Sequence, residues 1–190
     1  MGIERARVVE VHAPAGAVGS GYVVTDRLVL TAARNEGTAH VRPVGMGTWV
    51  PSSVVWRSAG VAVLELDDPS ALMLSSERVP FGRVRGTRPL AVTAMGFPPS
   101  PTRPTWPRDP LQVLGHVTPG DPLAVTVNGV AGEGMCGAAL FAGAELVGVL
   151  LDSRCAAPVA AMAEEPAFVD LFGGVELADV STPAFGLPIL

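Results

Sequence analysis

The sequence contains no lysine. All 13 basic residues are arginines that form no run, and 18 acidic residues leave a formal net charge of −5 at pH 7. Non-specific binding to nucleic acid or to anionic lipid depends on clustered positive charge, and the sequence offers no such cluster. We therefore expect neither a nucleic-acid partner nor a membrane partner.

Cysteines and long apolar segments are also scarce. The two cysteines, Cys136 and Cys155, are too few for a disulfide framework, which favours a reducing compartment. No apolar stretch reaches the roughly 18 residues of a membrane span. Residues 1–5 lack the basic and apolar regions of a secretory signal. On these grounds we expect a cytoplasmic protein.

Charged residues make up only 16% of the chain, whereas 22 glycines and 18 prolines interrupt a sequence that is 48% hydrophobic. This composition predicts many short strands joined by turns and argues against long helices. A chain of 190 residues has the size of one domain and can bury a sizeable core.

Alternating apolar and β-branched residues mark two sets of six strands. A turn-rich connector, residues 71–89, separates the sets. The first set falls within residues 1–70, at 6–11, 21–25, 28–32, 40–44, 50–56 and 61–66. The second falls within residues 90–190, at 90–95, 111–117, 123–127, 138–141, 145–151 and 184–189. The pattern predicts one all-β domain in two halves.

Two other segments have a distinct pattern. Residues 166–172 follow an acidic pair and precede Gly173, which predicts one short helix. Prolines recur at every third residue from Pro98 to Pro110, the period of a polyproline II helix, which would span about 40 Å if fully extended. We interpret this segment as a stiff connector between strands, and an exposed docking strip beside Trp106 is the alternative.

Three motifs occur in a fixed order along the chain. Residues 19–34 contain GSGYVV and VLTAAR, residues 56–66 read WRSAGVAVLEL, and residues 132–141 read GEGMCGAALF. They resemble the GSGFLV…VLTAAH, DVAVLEL and GxSGxPLF segments of trypsin-like serine peptidases. The chain is similar to the shorter domains of this kind in actinobacterial proteins, and the resemblance covers nearly the whole sequence.

The resemblance implies two packed six-stranded antiparallel β-barrels with an active cleft between them. It also implies that all three positions of the catalytic triad are substituted. Arg34 stands at the histidine position, Gly60 at the aspartate position and Cys136 at the serine position. The family builds its oxyanion hole from the backbone N–H groups at the positions of Gly134 and Cys136.

The first two substitutions remove catalytic roles outright. The guanidinium of Arg34 stays protonated at any working pH, so it has no lone pair with which to accept a proton from a nucleophile. Gly60 has no side chain with which to orient a base. Two of the three roles are therefore empty.

Cys136 is the one substitution that keeps a nucleophilic atom. A thiol depends less on a base than a serine hydroxyl does. If Arg34 faces Cys136, its positive charge would lower the pKa of the thiol, and donors from Gly134 and Cys136 would contribute about 2–4 kcal/mol to an oxyanion. No general acid remains to protonate a leaving amine. The alternative, which we favour, is that Cys136 is a small buried residue filling the serine site.

The histidines offer no substitute base. His12, His40 and His116 each fall on a predicted strand, away from the position from which the family would reach the nucleophile, although His40 follows Arg34 closely. No histidine and cysteine have the spacing of zinc ligands. We expect no metal and no other cofactor.

Cys155 follows the strand that walls the primary specificity pocket in the family. A bond to Cys136 requires Cα atoms within roughly 7 Å, and we favour two unbridged thiols. Asp152 and Arg154 on the same segment line a residual pocket or form a solvated turn.

The sequence favours a catalytically inactive pseudoprotease that binds a peptide or protein through the inter-barrel cleft. The alternative is a cysteine-dependent hydrolase or acyl transferase with Cys136 as its nucleophile. A redox-sensing thiol at the same residue is a weaker third possibility. We expect the partner to be a further domain of a longer chain or a protein encoded in the same operon.

Overall fold

The computed structural model describes residues 3–12, 18–33, 38–71, 78–98, 105–127 and 135–182. In these ranges the chain forms fourteen β-strands, two short α-helices and two 3-10 turns, at Arg5–Arg7 and Pro69–Ala71. Strands of this number and length agree with a composition rich in glycine and proline. The all-β fold expected from the sequence is confirmed.

The first barrel consists of six antiparallel strands. Their bounds are Val8–His12 (β1), Val18–Val23 (β2), Leu28–Ala32 (β3), Thr38–Pro43 (β4), Val50–Ser58 (β5) and Val61–Leu66 (β6). The barrel closes in the order β1-β2-β3-β6-β5-β4. Apolar side chains at alternate positions, such as Val9, Val29 and Val41, fill its interior. Burial of each contributes about 1.5–3 kcal/mol, so the alternation determines which face of each strand points inward.

The second half of the chain forms a sheet of eight strands. Their bounds are Phe81–Val84 (β7), Leu90–Gly96 (β8), Leu111–Thr118 (β9), Leu123–Val127 (β10), Ala139–Ala142 (β11), Glu145–Leu150 (β12), Cys155–Pro158 (β13) and Leu177–Val180 (β14). Six of them close in the order β11-β8-β9-β10-β13-β12, because β12 also pairs with β11. β7 and β14 extend the sheet beyond β12 by parallel pairing.

Four strand assignments differ from the sequence prediction. Residues 6 and 7 belong to a 3-10 turn, β7 lies inside the predicted connector, and β14 falls where no strand was predicted. The sixth strand of the second barrel is β13, whereas the strand predicted at 184–189 lies outside the described residues. β13 has the sequence Cys-Ala-Ala-Pro, which contains no β-branched residue and therefore does not indicate a strand.

The predicted helix is present at Pro166–Leu171 (α2), and a shorter helix precedes it at Val159–Met162 (α1). Gly173 and Gly174 follow α2 with φ of 62° and 107°, and the Gly174 N–H donates to Val169 O at 3.0 Å. Glycine adopts this left-handed backbone without strain, which is why the helix ends there. Neither helix in the described ranges has the length or apolar run needed to cross a membrane.

Aromatic side chains join the two barrels. Tyr22 of β2 packs edge-to-face against Phe141 of β11, with ring centroids 5.0 Å apart. Phe168 of α2 is fully buried, 4.9 Å from the Trp56 ring of β5 and 6.3 Å from the Phe81 ring of β7. One apolar cluster therefore contains side chains of both barrels.

The two ends of the proline-rich segment adjoin two neighbouring strands. Gly96 and Leu111 are paired across β8 and β9, and Arg108 Nη1 donates to Pro98 O at 3.0 Å. The two ends of the segment are therefore adjacent, and it does not extend over the full 40 Å that a straight polyproline II helix would span. Residues 99–104 lie outside the described ranges.

A buried ion cluster attaches the end of this segment to the first barrel. Glu10 of β1 is 1% exposed and accepts hydrogen bonds from Arg42 Nε at 2.7 Å and Arg108 Nε at 2.5 Å. Arg42 lies over the Trp49 ring, with Cζ 4.5 Å from the centroid. Arg5 and Asp109 form a second, exposed ion pair beside it. A carboxylate removed from water needs such partners, because an unpaired buried charge is strongly destabilising.

Candidate functional site

The turn that carries Cys136 is fixed to both barrels by backbone hydrogen bonds. Within the second barrel, Gly137 N donates to Leu150 O at 2.8 Å and Ala138 N donates to Met135 O at 2.9 Å. Toward the first barrel, Cys136 O accepts from Ser20 N at 2.9 Å. The position of Cys136 is therefore set by the main chain of both barrels.

Gly137 is required at this turn. Its φ is +89°, and an added Cβ would lie 1.9 Å from Ser20 O and 2.6 Å from Thr31 Oγ1. Thr31 Oγ1 in turn donates to Ser20 O at 2.6 Å. Only a residue without a Cβ allows β2 and β3 to approach the turn this closely.

Ser20 also connects the first barrel to the end of β8. Its Oγ accepts from Phe97 N at 2.7 Å and donates to Phe97 O at 3.3 Å. The serine of the GSG motif thus satisfies four backbone or side-chain groups at the contact between the barrels. The GSG motif therefore holds the two barrels together at this point.

The thiol of Cys136 is directed into the protein. Cys136 is 3% exposed, and its Sγ donates to Leu151 O at 2.9 Å. This contact holds the Cys136 side chain against the residue that follows β12.

Gly60 lies in the tight turn between β5 and β6, next to the same leucine. Its φ is +80°, and an added Cβ would meet Leu151 Cδ2 at 3.3 Å and Cδ1 at 3.6 Å. Gly60 O accepts from Ala33 N at 2.7 Å, which holds the end of β3 against the turn. Leu151 methyl groups therefore lie over the backbone of Gly60, while its carbonyl contacts Cys136.

Leu151 is the residue that the sequence interpretation missed. Leu150 points into the second barrel, and side chains alternate along a strand, so Leu151 has to point toward the first barrel. That alternation was readable from the sequence.

Comparison with known proteins identifies the fold. No family model matches the chain, and no curated protein matches it. Among solved structures, the inactive form of the Rv3671c protease from M. tuberculosis is similar, with a TM-score of 0.63 and 14% identity over 86% of this chain and 88% of that one. The MamO protease domain from Magnetospirillum magneticum has a TM-score of 0.57 and 19% identity over 84% and 95%.

A third similar structure is the scabies mite inactivated protease paralogue S-I1, with a TM-score of 0.59 and 15% identity over 91% of this chain and 96% of that one. The chain has the trypsin-like fold. The two packed six-stranded barrels expected from the motifs are thereby confirmed. At these identities the likeness establishes the fold alone, and residue roles have to come from the geometry of this chain.

Two of the predicted site residues of this trypsin-like domain lie outside the described ranges, namely Arg34 and Gly134. The structure brings the other two together, since Gly60 and Cys136 both contact Leu151. The pairing of Arg34 with Cys136 and an oxyanion hole that includes Gly134 remain predictions.

The two cysteines of the trypsin-like domain both contact Leu151. Cys136 Sγ donates to Leu151 O at 2.9 Å, and the Cys155 carbonyl accepts from Leu151 N at 3.0 Å. Both residues are thiols in the structure.

Asp152 and Arg154 form a turn at the end of β12. Asp152 Oδ1 accepts from Arg154 N at 2.6 Å and from Cys155 N at 2.9 Å. Partial burial, followed by the hydrogen bond to Asp152, raises the pKa of the Cys155 thiol. The N–H of Arg154, followed by the Cys155 thiol, lowers the pKa of Asp152. Both Asp152 and Arg154 are exposed, so the solvated turn describes them better than a pocket wall does.

The histidines occupy positions on the strands of both barrels. His12 and His40 are paired across β1 and β4, and the His12 ring packs against Trp49 at 5.9 Å. His116 lies on the exposed face of β9. In the described part of the chain, no group of three histidine, cysteine or acidic side chains has the arrangement of a metal site.

Proposed function

We propose that this trypsin-like domain is a catalytically inactive pseudoprotease that binds a peptide or protein in the cleft between its barrels. The observation that carries the proposal is the position of Leu151, whose methyl groups lie over the Gly60 backbone. A triad requires a carboxylate at that position to fix the tautomer of the base and to stabilise its charge. An apolar side chain provides neither.

The chemistry of the remaining positions supports the same conclusion. Arg34 has no lone pair for proton abstraction. The Cys136 thiol is buried and donates to Leu151 O, so it is not presented to solvent as an accessible nucleophile. Loss of the acid alone lowers kcat by about 10⁴ in a triad enzyme, and here the base is lost as well.

The proposal of binding rests on the contacts that hold the two barrels together. Ser20, Thr31 and Gly137 keep the two barrels in contact next to the cleft, although they supply no reactive group. Leu151 is only partly buried and presents an apolar contact between the barrels. A rigid cleft with an apolar centre and backbone hydrogen-bonding groups is suited to an extended peptide or a protein loop. The partner is a separate protein or a further domain of a longer chain.

The first experiment tests for catalysis. We expect no labelling by serine-directed phosphonates and no turnover of peptide, ester or thioester substrates above the level of the Cys136→Ala variant. Turnover that Cys136→Ala abolishes would falsify the pseudoprotease and support a cysteine-dependent enzyme.

The second experiment tests the binding site. Peptides that bind the purified chain on an array are titrated by calorimetry against the chain and two variants. Leu151→Trp fills the space between the barrels and should weaken binding about tenfold or more. Val55→Trp adds the same ring to an exposed strand of the first barrel and should leave affinity unchanged. Equal affinities for both variants would place the binding site elsewhere.

A further inference from the structure

Strand β14, Leu177–Val180, forms an open edge of the second sheet. Every other strand in the described ranges has a neighbouring strand on each side, because both barrels close and β7 lies between β12 and β14. Among the described strands β14 pairs with β7 alone. Its second edge therefore presents main-chain groups with which another strand can pair.

The strand register shows which main-chain groups lie on this edge. In a parallel pair, alternate residues direct both their N–H and their C=O toward the neighbouring strand. Val180 O accepts from Arg85 N at 2.8 Å, so Val180 and, two residues earlier, Ala178 face β7. Leu177 and Asp179 alternate with them and direct their main-chain groups away from β7. No described residue outside the strands bonds the main chain of either residue, so their N–H and C=O groups are available to an added strand.

The edge lacks the side chains that usually prevent such pairing. Exposed edge strands are commonly protected by proline, by lysine or by charged side chains. β14 contains no proline and no lysine, and its single charged residue, Asp179, forms an ion pair with Arg85 at 3.0 Å. With four residues β14 can form only a short ladder, which suits a reversible interaction with an extended peptide.

A groove of about 1350 Å³ reaches the beginning of β14. Its walls include the start of β7, the end of α2 and the turn between β2 and β3. The groove meets the first barrel at Leu28, the first residue of β3, whereas Ala33 N donates to Gly60 O just beyond the other end of that strand. Five residue steps of about 3.3 Å place these two points roughly 16 Å apart. The groove is therefore separate from the candidate site at Gly60 and Cys136.

The charge of this groove is negative on balance. Its ionisable side chains are three acidic and two basic ones, namely Asp26, Asp170, Glu176, Arg27 and Arg78. Arg27 forms an ion pair with Glu65 of β6 at 3.2 Å. The three carboxylates and Arg78 have no ion-pair partner among the described residues. Three negative charges and one positive charge leave −2, which favours a ligand with cationic groups.

We propose that β14 binds an extended basic segment of a partner protein, which adds a strand to the open edge and continues into the groove. The main-chain groups of Leu177 and Asp179 supply hydrogen bonds that any sequence can form, and the groove favours lysine or arginine side chains. A second copy of the chain suits the edge less well, because two β14 strands would bring Glu176 and Asp179 of both copies together and each chain has a net charge of −5. The proposal is independent of the peptide site in the cleft.

Hydrogen exchange of the full chain, followed by NMR, tests whether the edge is open. The amides of Leu177 and Asp179 should exchange at least about tenfold faster than those of Ala178 and Val180, which bond to β7. Slow exchange at all four amides would show that the edge is already covered, and this result would overturn the proposal.

Selection of random octapeptides displayed on phage tests the partner. Binding to the full chain is the criterion, and peptides that also bind Asp179→Pro are discarded. Proline at this position removes an edge N–H but leaves the hydrogen bonds of Ala178 and Val180 to β7. The selected peptides should be rich in lysine and arginine and poor in acidic residues. Their affinity should fall between about 50 and about 500 mM salt, and Glu176→Gln should weaken it about threefold or more.

A matched pair of variants then separates the main chain from the side chain. Asp179→Pro should weaken a selected peptide at least about tenfold in calorimetry, whereas Asp179→Asn keeps the N–H, removes the same charge and should weaken it less than about threefold. The bound peptide should also slow exchange at Leu177 and Asp179 of the unmodified chain, a readout that needs no variant. Circular dichroism confirms the fold of each variant.

Three results of these binding experiments would overturn the proposal. The first is failure to select any peptide, and the second is a set of peptides without enrichment of basic residues. The third is a peptide that leaves exchange at Leu177 and Asp179 unchanged, or that loses equal affinity for Asp179→Pro and Asp179→Asn, because it would bind elsewhere on the chain.

Discussion

Ser20 donates its backbone N–H to the carbonyl oxygen of Cys136 across 2.9 Å, and this hydrogen bond joins the GSG motif of the first barrel to the turn of the second. Ser20 also bonds Phe97 at the end of β8 and accepts from Thr31. The residues of the GSG motif therefore have a structural role at the contact between the barrels, and this role does not depend on catalysis.

The contact between the barrels at Gly137 predicts that one added methyl group will strongly reduce the stability of the chain. Gly137→Ala should lower the free energy of unfolding by about 3 kcal/mol or more, because the new Cβ meets Ser20 O and the backbone has a positive φ. The melting temperature should fall by about 6–12 °C. The matched control is Gly47→Ala, whose Cβ meets nothing within 4 Å and which should change stability by less than about 0.5 kcal/mol. Similar melting temperatures for the two variants would show that the close approach does not exist.

Restoration of the triad residues alone should not restore catalysis. The combined variant Arg34→His, Gly60→Asp and Cys136→Ser should hydrolyse no chromogenic peptide, because the new carboxylate would face Leu151 methyl groups from a backbone with positive φ. Measurable peptidase activity in this variant would contradict the proposal that Leu151 prevents a carboxylate at position 60 from serving a triad.

Aspartate substitutions at two glycines separate the cost of the backbone conformation from the cost of the contact with Leu151. Gly60→Asp and Gly45→Asp both place aspartate at a φ near +80°, but an added Cβ meets nothing within 4 Å at Gly45. We expect a loss of about 1 kcal/mol at Gly45 from the backbone and about 2 kcal/mol at Gly60, where Leu151 must also move. Chemical denaturation of both variants measures the two losses of unfolding free energy. Equal losses would show that contact with Leu151 does not contribute.

The buried ion cluster should be far more important for stability than an exposed ion pair. Glu10→Gln leaves Arg42 and Arg108 without their carboxylate and should destabilise the chain by about 3–5 kcal/mol. Glu65→Gln removes the exposed pair with Arg27 at 3.2 Å and should cost less than about 1 kcal/mol. Urea midpoints at neutral pH compare the two, and a small loss at Glu10 would mean that the cluster is hydrated.

The turn after β12 predicts slow alkylation of Cys155. Its raised pKa favours the protonated thiol in the folded chain. This contribution to stability is present below the pKa of the unfolded thiol and is lost as the pH rises through the folded value. In a Cys136→Ala background, Asp152→Asn should increase the rate of iodoacetamide alkylation about threefold near pH 8, since it removes the carboxylate that opposes ionisation. Mass spectrometry follows the reaction, and an unchanged rate would show that Asp152 does not control the thiol.

The sequence predicted most strands and the helix because those elements carry strong local patterns. β1 and β6 are short runs rich in valine, a residue that favours strands, and α2 has a glycine pair at its end. β13 was missed because Cys-Ala-Ala-Pro has no such pattern, and pairing with β10 and β12 alone makes it a strand.

The site could be predicted only in part. Leu151 contacts both Gly60 and Cys136, and nothing in the residue types at those two positions indicates this neighbour. Leu151 lies fifteen residues after Cys136, and its contacts depend on how closely the two barrels approach. Contacts between distant segments of this kind are set by packing, which local propensity does not describe.

The shared aromatic cluster has a consequence for how any ligand is recognised. Tyr22, Trp56, Phe141 and Phe168 belong to one continuous core that spans both barrels. Opening the cleft by a hinge would expose this core to water, so thermal fluctuations do not separate the barrels appreciably. Under the proposed function, a ligand would therefore meet a surface whose shape exists before binding, and selectivity would arise from rejection of ligands that do not fit.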